Sequence, residues 1–176
     1  MALGSMVGNL TKGKEKYKHV EEDIIELLEK SESITESLKN LVKKDAEVFY
    51  PLSQAYGLPS STEEEKQKKE AVLQETLVEA STVPLEIAKK CLDAIHLHEE
   101  YAEKGSRIVI SDVGVGVIFC KAALQGAKLN VLINTKMMKD EALKNKIESE
   151  LFEVERIGLE KADNIYKKVE EMFTGK

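Results

Sequence analysis

The stretch DEALKNKIESELFEVERIGLEKADNIYKKVEEMF, residues 140–173, decides the fold. Its apolar and small residues recur every three or four positions, at Leu143, Ile147, Leu151, Val154, Gly158, Ala162, Ile165, Val169 and Met172. This spacing places them on one face of a long helix whose remaining surface is rich in Glu and Lys. Gly158 lies on the apolar face and indicates either a close crossing with another helix or a weak point within this one.

A second long helix is predicted from about Lys16 to Ala55, because its apolar positions again step by three or four residues. Pro51, near its end, predicts a kink or a loosened last turn. Gly57 and Pro59 then end the helix, since glycine suits the position after a helix and proline cannot continue one.

A third helix is predicted to begin after Thr62 and to run toward Leu97. Thr62 and Glu65 have the spacing of a capping box. Pro84 in its interior predicts a kink or break near residues 80–82. Long helices joined by short turns favour antiparallel packing, so the expected fold class is an all-α bundle of long helices, kinked at its two internal prolines.

Residues 107–135 fit two interpretations. Both ends of the segment are rich in β-branched residues, which are typical of strands, so one β-α-β unit is an alternative. A single unit of this kind, with no other strand-like run in the chain, cannot form a stable sheet. We therefore expect buried helices here, interrupted at Gly114, Gly116 and Gly126; a nucleotide-binding β-α-β unit remains the weaker interpretation.

Composition limits the function classes. A chain of 176 residues with 42% hydrophobic and 33% charged residues is expected to form one globular domain. Its 26 Lys and Arg against 32 Asp and Glu give a net charge of −6, which argues against a dedicated nucleic-acid binder. No run reaches the ~18 uncharged apolar residues of a membrane span, and the N-terminus does not resemble a signal peptide.

Cysteine and histidine usage points away from a metal centre. The two cysteines, Cys91 and Cys120, are interpreted as buried thiols in a reducing compartment, so a cytoplasmic location is expected. The three histidines lack the helical spacing of a metal site, because His96 and His98 are two residues apart and face different sides of a helix.

Asp45 is the most informative polar residue. It occupies a stripe position between Leu41 and Val48, so the periodicity that buries those residues also turns Asp45 inward. A buried carboxylate needs a partner, and a lysine or a helix end would provide a structural one. Alternatively, desolvation raises the pKa of such a carboxyl toward neutrality, which suits general acid–base catalysis.

Three further polar segments have both structural and functional interpretations. Ser111 and Asp112 have the character of a helix N-cap, or of a ligand site beside the glycines that follow. The loop Asn9–Lys14 is either an ordinary charged turn or an anion site with two lysines around a glycine. Asn130 and Asn134 lie four residues apart in an apolar run, so their amides need hydrogen-bond partners.

Taken together, these segments resemble the cyclodeaminase/cyclohydrolase family of folate enzymes. That family includes the C-terminal domain of formiminotransferase-cyclodeaminase and stand-alone bacterial methenyltetrahydrofolate cyclohydrolases. The matching pieces occur in family order across nearly the whole chain, and they are Met6–Lys14, Asp45–Phe49, Leu58–Pro59, Val83–Leu85, Ser111–Val113 and Asn130–Asn134.

The resemblance implies an all-helical homodimer with a folate site in a groove lined by these motifs. It implies that Asp45, which opens the Asp-Ala-Glu-x-Phe motif, is the catalytic residue. Lys12 and Lys14 would then hold the glutamate carboxylates of the folate. The other substrate-binding residues expected on this basis are Asn9, Ser111, Asp112 and Asn134.

The implied reaction is closure of 5-formiminotetrahydrofolate to 5,10-methenyltetrahydrofolate with loss of ammonia, or hydrolysis of the methenyl bridge, and the sequence leaves both open. The tetrahydrofolate derivative is substrate, and no metal or tightly bound cofactor is expected. Family members begin with a Pro-Gly-Gly-Gly-Ser turn that residues 1–176 lack, together with part of the first helix. A catalytically impaired folate-binding or assembly protein is therefore the alternative function.

Overall fold

The computed structural model describes residues 1–175, and no strand occurs within them. The five helices are α1 (Ala2–Thr11), α2 (Glu21–Tyr56), α3 (Glu63–Lys104), α4 (Ile110–Thr135) and α5 (Glu141–Thr174). Short 3-10 turns, Glu15–Val20 and Arg107–Val109, precede α2 and α4. The all-α bundle is confirmed, and the β-α-β interpretation is wrong.

Capping signals locate several helix ends, although α2 begins at Glu21 rather than near Lys16 and α3 ends at Lys104 rather than near Leu97. The Thr62 hydroxyl accepts a hydrogen bond from the Glu65 N–H at 3.2 Å, and the Glu65 carboxylate accepts one from the Thr62 N–H at 3.0 Å. The predicted capping box is therefore confirmed. Asp140 caps α5 in the same way, through the N–H of Leu143 at 2.9 Å. Gly57 follows the last residue of α2, as expected.

Neither internal proline breaks its helix. Helix α3 continues through Pro84 to Lys104, and α2 continues through Pro51. Of the two outcomes expected near residues 80–82, a kink or a break, the break is therefore wrong. The reason is packing. Val83, Pro84 and Leu85 are all buried, and their contacts with neighbouring helices hold the backbone in place despite the lost hydrogen bond.

Helix α4 is also continuous, so the expected interruptions at its glycines are wrong. Each glycine costs a helix about 1 kcal/mol relative to alanine. Tertiary contacts offset that cost at two of the three glycines, because Gly114 packs beneath Val169 and Gly116 beneath His98, whereas Gly126 faces open space. The N-cap expectation for Ser111 and Asp112 is wrong as well: the N-cap position is Val109, and both residues lie in the first turn.

Helix α4 is buried on one face only, not fully as expected. The segment Arg107–Thr135 is long and apolar enough to cross a membrane, with a mean hydropathy of 1.7 in a window of which 39% is buried. A search for ~18 consecutive uncharged apolar residues does not find this segment, because it contains Lys121 and Lys128. A single such helix is weak evidence for a membrane protein, since core helices of soluble proteins pass the same test.

Helix α3 is the centre of the bundle and contacts each of the other four helices. Tyr101 is fully buried near its C-terminal end, and its hydroxyl lies 3.0 Å from that of Ser31 on α2. Gly4 and Gly8 of α1 lie over the Tyr101 ring, where a methyl group would stand about 3.0–3.1 Å from ring carbons. Glycines thus allow α1 to approach α3 closely.

Gly158 marks a close helix crossing, so the first of its two interpretations is confirmed. A methyl group at this position would overlap the Leu124 side chain of α4 and meet Ile95 of α3 at 3.5 Å. Leu124 and Ile95 are fully buried. The stripe on α5 therefore packs against α3 and α4 at once.

The polar core groups include two cysteines and one histidine. Cys91 and Cys120 are free and buried, as expected, and burial raises the pKa of Cys91 to about 12. His98 is fully buried. Its Nδ1 lies 2.7 Å from the Ala94 carbonyl, while its Nε2 has no hydrogen-bond partner within residues 1–175. This burial lowers the pKa of His98 to about 4.

Adding a methyl group at the helix crossing should destabilise the fold. Because Leu124 is enclosed and cannot swing aside, Gly158→Ala is expected to lower the free energy of unfolding by about 1–3 kcal/mol, despite the better helix propensity of alanine. Urea titration measures the change. Asn164→Ala, at an exposed position of the same helix, is the control and should leave stability equal or slightly higher. A stabilised Gly158→Ala protein would show that the crossing is loose.

Acid should weaken the fold through His98. The folded protein holds His98 neutral down to a pKa of about 4, whereas the unfolded chain protonates it near its ordinary value of 6.5. The unfolded state thus binds more protons below pH 6.5, and about 2 kcal/mol of stability should be lost between pH 7 and pH 5. Urea midpoints across this range measure the loss. His98→Gln should flatten the dependence, and His19→Gln, at an exposed position, should retain it.

Candidate active site

A cleft of about 290 Å³ opens where α2, α3 and α4 meet. Its polar lining comes from Asp45 on α2 and from Asn130 and Asn134 on α4. The rest of the lining is apolar and consists of Val42, Ala46, Val48, Phe49, Ala80 and Ile133. A carboxylate and two amides thus share one small pocket with hydrocarbon walls.

Asp45 reaches this cleft because of its place on the α2 stripe. Val48, three residues further on, is buried, and Asp45 itself is half-buried at the edge of the same face. Within residues 1–175, no side chain or backbone group forms a hydrogen bond or ion pair with its carboxylate. Neither structural role considered for Asp45, pairing with a lysine or capping a helix, is therefore present there. The carboxylate is available to a ligand.

Asn134 is held in one orientation by two backbone carbonyls. Its Nδ2 donates to the carbonyl of Ala80 on α3 at 2.6 Å and to that of Asn130 at 3.0 Å. Both amide hydrogens are used in these bonds. The acceptor atom Oδ1 has no donor within residues 1–175. The cleft therefore presents a carboxylate from α2 and an amide oxygen from α4.

The charge of the cleft favours cations. Asp45 is the sole charged residue in the described lining. Hydrocarbon side chains surround it, so its field is screened less than that of a carboxylate on an open surface. A positively charged or N–H-rich group is thus the ligand chemistry that this lining complements. No cluster of three or more His, Cys, Asp or Glu suited to a metal ion occurs in residues 1–175.

The lysine loop lies apart from this cleft in a single chain. Lys12 and Asn9 border a different groove, beside Glu29 of α2, and Asp45 is about 24 Å further along that helix. Lys14 is exposed in the loop itself. The N–H of Gly13, in the centre of the loop, already donates to the Glu21 carboxylate at 2.9 Å. Only the lysine side chains of this loop remain to bind an anion.

Ser111 and Asp112 are also remote from Asp45 within one chain. They lie in the first turn of α4, whereas Asn134 lies in its last turn, about 33 Å away along the helix axis. Ser111 is exposed and Asp112 is half-buried. Of the other six residues proposed from the sequence, only Asn134 shares the cleft with Asp45 in the described chain.

The sequence reasoning missed the apolar walls of the cleft. Val42 and Phe49 are exposed although apolar, and they lie seven residues apart on one face of α2, away from the buried stripe. The sequence signal for these walls was the presence of apolar residues on α2 outside its buried stripe. Ala80 was missed too, and its signal was Pro84, four residues later, which deprives the Ala80 carbonyl of its helical donor.

The fold and cleft define an all-helical protein with a small carboxylate–amide ligand pocket. Residues 1–153 match the family model described as Formiminotransferase-cyclodeaminase, and the chain belongs to this family. The resemblance seen in the sequence is thereby confirmed.

Individual relatives agree with the family match. The chain is 47% identical over 141 residues to methenyltetrahydrofolate cyclohydrolase of Methylorubrum extorquens, which covers 80% of this chain and 68% of that protein. It is 34% identical to formimidoyltransferase-cyclodeaminase of Mus musculus over 82% of this chain, but spans only 27% of that longer relative. The crystal structure of formiminotetrahydrofolate cyclodeaminase from Thermotoga maritima superposes with a TM-score of 0.81 and 34% identity, covering 99% of this chain and 81% of that one.

Proposed function

We propose that this protein converts a one-carbon derivative of tetrahydrofolate, with Asp45 as its general acid–base residue. The reaction is cyclisation of 5-formiminotetrahydrofolate to 5,10-methenyltetrahydrofolate with release of ammonia, hydrolysis of the methenyl bridge, or both. The observation that carries the proposal is a cleft carboxylate with no hydrogen-bond or ion-pair partner within residues 1–175, in a chain whose relatives are named for these two activities.

The chemistry of both reactions suits a single carboxylate. In cyclisation, N10 of the folate attacks the formimino carbon, giving a tetrahedral carbon between two nitrogens, and ammonia then leaves. In hydrolysis, water attacks the methenyl carbon and one carbon–nitrogen bond breaks. Asp45 would accept the proton from the attacking nitrogen or water and return it to the departing nitrogen. The reacting groups of both substrates are cationic and amidine-like, and a carboxylate in an apolar cleft stabilises such groups.

The tetrahydrofolate derivative acts as substrate in this proposal, and no tightly bound cofactor takes part. Two of the relatives are named for different reactions: one, at 47% identity, is a cyclohydrolase, and the other, at 34% identity, is a cyclodeaminase. Both assays are therefore needed. The two buried, free thiols support a reducing cytoplasmic location.

We propose further that the protein works as a homodimer joined through the outer face of α4. This face is mostly apolar and carries no charged residue. Its exposed apolar and small residues are Val115, Ile118, Phe119, Ala122, Ala123, Gly126, Leu129 and Ile133, and its exposed polar residues are Ser111, Gln125 and Asn130. The two lysines in the middle of α4 turn away from it, because Lys121 pairs with Asp163 and Lys128 with Glu155 on α5. An uncharged helix face of this kind is suited to a second copy of itself.

The size of the face supports a stable interface. Together with Val42, Phe49 and Tyr50 of α2, which are also exposed, it offers on the order of 800 Å² of apolar surface, the area that each partner buries in a standard interface. Small residues at its centre, Ala122 and Gly126, permit two helices to approach closely. Larger side chains at both ends fit a two-fold pairing.

An antiparallel pairing of this kind would also complete the site. Ala123 is the midpoint between Asp112 and Asn134, so two α4 helices crossing there would bring the partner's Asp112 beside Asn134. The Thr11 hydroxyl accepts from the Ser106 N–H at 2.8 Å and joins the lysine loop to that same end of α4. The partner's Lys12 and Lys14 would then lie within reach of a substrate bound at Asp45. This arrangement accounts for the expected site residues that lie far apart in one chain.

Asp45→Asn should abolish turnover while the protein remains folded. The amide has nearly the shape of the carboxylate but neither accepts a proton nor balances a cation, so turnover should fall at least ~100-fold. Absorbance of methenyltetrahydrofolate follows both reactions. Glu47→Gln, at an exposed position two residues further along α2, is the control. Near-normal turnover by Asp45→Asn would remove Asp45 from the mechanism, and tight folate binding without turnover by the wild-type chain would favour a binding or assembly protein.

Phe119→Glu should produce a monomer with little activity. Phe119 is 67% exposed in the single chain, so a charge there leaves the fold intact but opposes burial against a second apolar face. Light scattering after gel filtration measures the mass, and turnover is assayed in parallel. Phe173→Glu, at a position 64% exposed at the end of α5, is the control and should remain dimeric. A monomeric wild-type chain with full turnover would contradict both the dimer and the shared site.

A further inference from the structure

The carbonyl of Ala80 lacks its usual helical donor and receives one from another helix instead. In an α-helix the carbonyl of residue 80 accepts from the N–H of residue 84, but proline has no N–H. Asn134 Nδ2, from α4, lies 2.6 Å from the Ala80 oxygen, slightly closer than is usual for such bonds. Pro84 therefore opens a backbone acceptor on the wall of the cleft, and the Asn134 amide occupies it.

This contact determines which end of the Asn134 amide faces the ligand. The second hydrogen of Nδ2 is directed to the Asn130 carbonyl at 3.0 Å, so two carbonyl oxygens require the nitrogen on that side. The reversed amide would place its oxygen against both carbonyls and is excluded by repulsion. Oδ1 is thus the atom left for the cleft, which Asp45 also lines.

We propose that Pro84 is a positioning residue for the ligand site, and that it acts by holding Asn134 as an N–H acceptor opposite the Asp45 carboxylate. This inference rests on the proposed function and deepens it. A substrate carrying several N–H groups, such as an amidine or an aminopyrimidine ring, would donate to both acceptors. Asn134 then orients the substrate while Asp45 moves the proton.

Any other residue at position 84 would release the amide. Its N–H would lie in the helical position next to the Ala80 carbonyl and would compete directly with Asn134 for it. Asn134 would keep only its bond to Asn130 within its own helix, and its side chain would be free to rotate. Pro84 thus removes one regular hydrogen bond from α3, and a contact between α3 and α4 at the site replaces it.

Pro51 shows that an internal proline does not recruit an amide by itself. It lies inside α2, and the carbonyl freed by its missing N–H is that of Glu47. No side chain within residues 1–175 donates a hydrogen bond to that carbonyl. Pro51 is also exposed and does not line the cleft. It therefore provides a matched control for the helical effect of removing a proline.

A double-mutant cycle in steady-state kinetics tests the proposal. Pro84→Ala and Asn134→Ala should each lower kcat/KM about tenfold, the loss expected for one hydrogen bond to the substrate. In the Pro84→Ala background, adding Asn134→Ala should cost less than about twofold, because the amide is already displaced. Pro51→Ala should leave kcat/KM unchanged. The thermal midpoint of Pro84→Ala should equal or exceed that of the wild type, since the helix regains a donor.

The side-chain amide of Asn134 provides a readout that needs no substrate. Its ¹⁵N–¹H signals should exchange slowly with water in the wild type and in Pro51→Ala, and rapidly in Pro84→Ala. Additive kinetic losses, or a fully active Pro84→Ala protein, would overturn the inference. If the wild-type chain converts no folate, the proposed function fails, and the amide signals still decide whether Pro84 holds Asn134.

Discussion

The close packing of helices around α3 is the constraint on which the rest of the structure depends. Three of its four neighbours, α1, α4 and α5, pack through glycines. Gly8 lies against the Tyr101 ring and Gly116 against His98, and Gly158 lies where α5 crosses Leu124 of α4 beside Ile95 of α3. Close-packed interiors leave no room for a methyl group at such points. Contacts of this kind hold α4 continuous at Gly114 and Gly116, and burial keeps His98 neutral.

The candidate site depends on the same helix packing, but it lies nearer to the surface of the bundle. Helices α2 and α4 both lie against α3, so a carboxylate from one and an amide from the other line a shared cleft beside Ala80. The proline in α3 costs that helix a hydrogen bond, and the amide of Asn134 takes up the acceptor that is left. A defect in the regular structure of the central helix therefore becomes an orienting contact at the site.

Local features could be predicted from the sequence, because their causes are local. The capping box at Thr62 and the extent of α5 need only neighbouring residues, and both predictions are confirmed. The interruption expected at Gly114 is wrong, and the kink or break expected near Pro84 is not a break, because glycine and proline only set a cost within their own helix. Whether tertiary packing offsets that cost depends on contacts with residues far away in the sequence, such as Val169.

The sequence by itself determined the long helices α2, α3 and α5, the place of Asp45 on an amphipathic stripe, and the family resemblance, since each follows from residue spacing along the chain. Only the tertiary structure decided which polar residues meet. A helix advances about 1.5 Å per residue, so residues that the resemblance assigns to one site, such as Lys12 and Asp45, lie far apart in a single chain. Helix crossings instead bring Asp45 to Asn134, and they leave the apolar outer face of α4 uncovered, because each crossing is set by which side chains can interlock.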